Sequence, residues 1–125
     1  MHNKRLYLGL ALLWTFIVSV LSLITIGDVG SSIPISNKDK YVHFTFYFIF
    51  VNFWFLFAKK TNKSKQTQWI VLFSAIVYGI LLEICQGVFT ASRTPDVMDV
   101  LANSLGAIFG FIFFKIVINK YKTTP

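Results

Sequence analysis

Charge is scarce in this sequence. Asp, Glu, Lys and Arg make up 14% of the 125 residues, against about 25% in a typical soluble domain, while hydrophobic residues make up 55%. So little polar surface cannot cover a small water-soluble fold, which excludes a secreted or cytosolic domain. Cysteine occurs once, at Cys85, which excludes an internal disulfide and a cysteine-based zinc finger. No glycine-rich phosphate loop, nucleophile elbow or dinucleotide fingerprint is present. Linkers, low-complexity tracts and clear internal repeats are missing too. The length suits one domain, and residues 1–125 are read as a single transmembrane unit.

What the sequence has is long apolar runs. A bilayer core requires roughly 20 apolar residues per helix, and four stretches qualify: residues 6–26, 41–58, 69–90 and 97–118. The first has a basic start but exceeds the length of a signal-peptide core and lacks a small-residue cleavage site, so it reads as a retained helix. The expected fold is all-α, an integral membrane four-helix bundle. Of the twelve Lys and Arg residues, nine (Lys4, Arg5, Lys59, Lys60, Lys63, Lys65, Lys115, Lys120, Lys122) fall on one side and three (Lys38, Lys40, Arg93) on the other. The positive-inside rule then puts both termini in the cytoplasm. It also accounts for the net charge of +7 without nucleic acid, through topology and contact with anionic headgroups. Trp54, Trp69 and Tyr121 are placed at the inner boundary and Tyr41 at the outer one, as interfacial anchors.

All five acids, Asp28, Asp39, Glu83, Asp96 and Asp99, fall on the expected outer half. At 1.5 Å per residue, Glu83, Asp99, Asn103 and His43 lie roughly 5–10 Å below the outer helix ends. Helical spacing collects them into stripes. Asp96, Asp99, Asn103, Gly106 and Gly110 occupy a stripe about 80° wide. Gly79, Glu83, Gln86 and Gly87 share a face, as do Asp39, His43, Tyr47 and Phe50, and more weakly Thr15, Ser19 and Ser22. The remaining Phe, Ile, Leu and Val, including the phenylalanines as a class, are assigned to lipid. Turning the polar stripes inward builds a small hydrated pocket, open outward, lined by Glu83, Asp99, His43, Arg93, Gln86 and Asn103. Gly106-x-x-x-Gly110 allows a neighbouring helix to approach closely below it.

Three motifs stand in order here: Asp39-Lys40-x-x-His43-Phe44-x-x-Tyr47, Gly79-x-x-x-Glu83-x-x-Gln86, and Arg93-x-x-Asp96-x-x-Asp99-x-x-x-Asn103-x-x-Gly106-x-x-x-Gly110. Over residues 31–112 this pattern resembles the VanZ-like family of small bacterial membrane proteins. The family's namesake is associated with resistance to the glycopeptide teicoplanin. The resemblance therefore implies a role in the cell envelope, at the cell membrane, and supplies no reaction.

Each polar group carries a functional and a structural reading. Intramembrane carboxylates are functional candidates by default, so Glu83 and Asp99 are candidate acid–base groups, with His43 as proton partner and Arg93 as anion stabiliser. Asp39, Lys40, Gln86, Asp96 and Asn103 are candidate binding residues. Against this, Glu83 with Gln86 could be a packing pair. Thr94-Pro95-Asp96 reads as N-cap, N1 and N2 of the last helix. Lys40 is favoured to snorkel to the interface, and Cys85 to fill space. No His-x-x-x-His or Glu-x-x-His pair shares a helix, so neither a metal nor a cofactor is expected. The expected partners are the bilayer, a lipid-linked or glycopeptide-type ligand at the outer leaflet and, as an open option, a second copy of the chain. Enzyme, binder and structural partner all stay open. A transporter is disfavoured, because four short spans with no broken helix make a poor path.

Overall fold

A computed structural model describes residues 2–23, 38–61, 65–89 and 96–122. Four helices make up these segments: α1 (His2–Leu23), α2 (Lys38–Thr61), α3 (Lys65–Phe89) and α4 (Val97–Lys122). There is no strand among the described residues. Each helix contains an apolar stretch of 21 to 24 residues, or about 32–36 Å at 1.5 Å per residue, enough to cross a hydrocarbon core of about 30 Å. The helices α2, α3 and α4 run a few residues past the apolar spans, because backbone hydrogen bonding continues through polar flanks where hydropathy stops. Residues 24–26 of the first expected span lie outside the described residues.

The chain runs up and down. Contacts of Lys40 with Asp96, and of Gln86 with Ser22, mark one end of the bundle. Lys115 over the Trp69 ring marks the other. The hub is α2, which touches all three other helices and packs most extensively on α4, whereas the backbones of α1 and α4 stay apart among the described residues. Two glycines explain the α2–α4 seam. A Cβ on Gly106 would collide with the backbone of Phe44, and one on Gly110 would sit 2.5 Å from Val51 Cγ2 and 2.9 Å from the Phe48 carbonyl oxygen. Only residues without a side chain admit that approach. Asn52 reinforces the seam, its Nδ2 donating to Phe48 O (2.8 Å) and Gly110 O (3.4 Å).

Tryptophans tie α1 to α2. Trp14 Nε1 donates to Phe46 O at 2.9 Å, and Trp54 Nε1 donates to Thr15 Oγ1 at 3.0 Å. Trp54 is therefore an interhelical clamp and not simply the interfacial anchor its position suggests. Ser19 and the Tyr78 hydroxyl join α1 to α3. Interhelical bonds of this kind average about 0.6 kcal/mol in membrane proteins, so they orient the helices more than they hold them.

The core is Val18, Tyr47, Phe50, Val51, Phe55, Leu72, Ala75, Leu82, Ala107, Phe111 and Phe114. This corrects the assignment of the phenylalanines to lipid. Phe16, Phe73, Phe109 and Phe113 do face outward, but Phe50, Phe55, Phe111 and Phe114 are buried. In a bilayer both sides of a helix are apolar, so hydrophobicity does not separate inside from outside; shape does. Phe55 meets Phe111 and Phe114 with ring centroids 5.4 and 5.1 Å apart.

Candidate functional site

The polar stripes converge at the end of the bundle where α2 and α4 begin and α1 and α3 finish. His43, Glu83, Gln86, Asp99 and Asn103 are all buried. Asp96 precedes α4 and caps it. Its carbonyl accepts from the amides of Asp99 (3.1 Å) and Val100 (3.3 Å), and its Oδ1 accepts from the Met98 amide at 2.9 Å. That geometry makes Asp96 the N-cap itself and corrects the expected assignment of N2. Thr94 and Pro95 lie outside the described residues.

Glu83 reaches the same point from α3. Its Oε1 accepts from the Asp96 amide at 2.7 Å. In a capping box the acid that covers this amide comes from the helix's own third residue; here it comes from a different helix. The negative group also faces the positive end of the α4 dipole. The other oxygen, Glu83 Oε2, is buried and has no hydrogen-bond partner among the described residues.

Lys40 binds two acids at once. Its Nζ lies 2.8 Å from Asp96 Oδ2 and 2.5 Å from Asp99 Oδ1. The side chain of Lys40 is 22% exposed and that of Asp99 only 7%. Lys40 thus does more than snorkel. The glycine seam brings the first turn of α2 against that of α4, so Lys40 finds carboxylates before it finds water. His43 adds a second link: Nδ1 donates to Asn103 Oδ1 at 2.9 Å, the tautomer an acceptor oxygen demands. Its Nε2 faces Asp99 Oδ2 at 3.7 Å, an ion pair whenever the ring is protonated.

The structure thus brings together Lys40, His43, Glu83, Asp96, Asp99 and Asn103. Glu83 and Asp99, 16 residues apart in sequence, meet at one helix terminus. Gln86 instead ties α3 to α1, its Nε2 donating to Ser22 O at 2.5 Å. Arg93 lies outside the described residues. The backbone of Asp39 belongs to the first turn of α2, and its side chain lies outside what is described, as does that of Tyr121. No three His, Cys, Asp or Glu side chains among the described residues are grouped as a metal would require.

One residue at this site was not among the candidate site residues from sequence. Tyr47 is fully buried, and its hydroxyl has no hydrogen-bond partner among the described residues. The signal was present in its spacing, one turn beyond His43 on the polar face of the second span, but a phenol carries no charge to single it out there.

A family model described as VanZ/LLP1 matches residues 6–118. The chain belongs to this family. The match spans all four helices, so α1, which carries none of the three motifs, is part of the VanZ/LLP1 unit. No curated protein and no solved structure matches the chain. The VanZ motifs and the bundle geometry agree in one respect: the motif residues Lys40, His43, Tyr47, Glu83, Asp99, Asn103, Gly106 and Gly110 all turn toward neighbouring helices and none toward lipid. As a VanZ-family chain with four helices able to cross a bilayer, it is a multi-pass membrane protein.

Proposed function

We propose that this VanZ-family protein resides in the cytoplasmic membrane with both termini inside, and that its polar end faces outward and binds or acts on an envelope or glycopeptide-type molecule at the outer leaflet. The support is the amount of unused polar capacity. Helix packing alone does not call for a buried carboxylate with one oxygen unpartnered, beside a second carboxylate, an imidazole and an ammonium. Such groups are expensive within a bilayer and mark functional sites. In an acid–base role, Glu83 or Asp99 takes a proton and His43 carries it; in a binding role, the same groups and Lys40 grip a polar headgroup.

The test is teicoplanin susceptibility of a Gram-positive host expressing the wild type or Glu83→Gln at equal membrane levels. The wild type should raise the inhibitory concentration severalfold and the variant should not. No change with the wild type would remove the glycopeptide reading. Orientation is checked separately. On a Cys85→Ala background, Ser32→Cys and Ser92→Cys should label from outside intact cells and Ser64→Cys should not; the reverse pattern would put the cluster at the cytoplasmic face.

A structural or assembly role is the second reading. It is favoured by the interhelical bonds of Glu83 to Asp96, His43 to Asn103 and Gln86 to Ser22. On that reading, Glu83→Gln changes stability and leaves susceptibility untouched.

A further inference from the structure

Two buried polar atoms stand out because their chemistries are complementary. Glu83 Oε2 is an acceptor without a donor, and Tyr47 Oη is a hydroxyl without an acceptor. Glu83 is 4% exposed and Tyr47 0%. Neither can be reached by bulk water, and each forfeits the hydrogen bonds water would give it.

They belong to one place in the fold. Tyr47 is one turn beyond His43 on α2, about 6 Å along the axis. Gly79 is one turn before Glu83 on α3. A Cβ at Gly79 would stand 3.3 Å from Tyr47 Cε1 and 3.2 Å from both Asn103 Cβ and Nδ2. The hydroxyl-bearing edge of Tyr47 therefore lies beside Gly79 and Asn103, at the floor of the cluster, one turn below Glu83 on α3. Lys40, Asp96 and Asp99 form the opposite, more exposed side.

The class of group that satisfies both atoms is narrow. An ammonium donates to the carboxylate but cannot accept from the phenol. A phosphate accepts from the phenol but is repelled by an ionised Glu83. A hydroxyl both donates and accepts. We propose that Tyr47 and Glu83 form a hydroxyl-binding floor beneath the Lys40–Asp96–Asp99 group, filled by the hydroxyls of a glycerol-type or sugar-bearing molecule or by ordered water. The lipid or sugar source rests on the reading of the cluster as an outward-facing ligand site; the water source does not.

The experiment uses the purified full chain in phosphatidylcholine nanodiscs. It compares binding of dioctanoyl phosphatidylglycerol with that of dioctanoyl phosphatidylpropanol, which has the same phosphate charge and no headgroup hydroxyl. One net hydrogen bond corresponds to about a fivefold change in affinity. Phosphatidylglycerol should bind at least that much more tightly, and Tyr47→Phe, which removes only the oxygen and leaves Glu83 Oε2 to accept, should shrink the difference severalfold. Equal binding of both lipids, with an ordered water bonded to Tyr47 Oη and Glu83 Oε2 in an experimental structure, assigns the floor to water and supports the proposal. Equal binding with no such water overturns it, as does discrimination that Tyr47→Phe leaves undiminished. Should Tyr47→Phe not fold, the wild-type lipid comparison and the water decide the matter. Teicoplanin protection is read independently, so lipid discrimination without protection would count against the glycopeptide reading alone.

Discussion

The two ends of this bundle are held by different physics. At the Lys40 end, directional contacts fix the helices: an ammonium between two carboxylates, an imidazole on an amide and a glutamate over a helix terminus. Toward the Trp69 end, Phe55, Phe111 and Phe114 interlock with Leu72 and Ala58 nearby in the buried interior. No acid occurs between residues 40 and 82 or after residue 99. Lys115 there rests its ammonium 4.6 Å from the Phe111 ring centroid instead of on a carboxylate. The comparison teaches a division of labour. Aromatic shape carries stability where chemistry is absent, and polar geometry is concentrated where ligands could be met.

Substitutions can break that division. The largest loss should follow Phe55→Ala, about 3–5 kcal/mol by the usual toll of a truncated buried aromatic, read by reversible unfolding in mixed micelles. Protein that still folds should keep whatever susceptibility effect the wild type has, because Phe55 packs on Phe111 and Phe114, toward the end away from Lys40. If the phenotype vanished with fold intact, the two ends would be coupled and the division would be wrong.

Gly106→Ala should come next, at about 3 kcal/mol, the upper range for overpacking. The added methyl meets the backbone of Phe44, which cannot rotate away, so α2 and α4 must part. Because this seam brings Lys40 to Asp96 and Asp99, the variant should lose stability and phenotype together. Retention of either with the other lost would separate the seam from the site.

The smallest effect on stability should come from Lys40→Met. A buried pair broken on one side costs about 3–5 kcal/mol, but Lys40 is partly exposed and Asp96 more so, which points to about 1–2 kcal/mol after screening. Asp99→Asn added to Lys40→Met should restore much of it, since one of two facing charges is gone. An unchanged double variant would mean that the ammonium does something other than balance charge.

How much of this could be read from sequence depends on what periodicity encodes. The stripe Asp96, Asp99, Asn103, Gly106 and Gly110 was legible because a helix repeats every 3.6 residues, and the structure turns it onto α2 and α3. The partner of each group was not legible. Whether Lys40 meets water or carboxylates depends on the rotational setting of α2 against α4, which the glycine seam decides in three dimensions. The buried phenylalanines were hidden for a related reason: lipid is as apolar as a core, so no contrast in hydropathy marks the inner face. The roles of Trp14 and Trp54 were masked likewise, since an indole has both an apolar body and a donor and suits interface and interior equally.

The placement of α2 as hub has a consequence for biogenesis. Membrane helices emerge from the ribosome in order, and α2 leaves it long before α4. Until Val97 and its successors arrive, Lys40 and His43 have no Asp99 or Asn103 to meet, and Glu83 has no helix terminus to cover. The half-made chain therefore enters the translocon without the contacts that α4 gives Lys40, His43 and Glu83, and the last helix to insert is the one that supplies them. A released chain truncated before Val97 should linger at the insertase or attract membrane proteases, whereas one released after Lys122 should hold its polar end together.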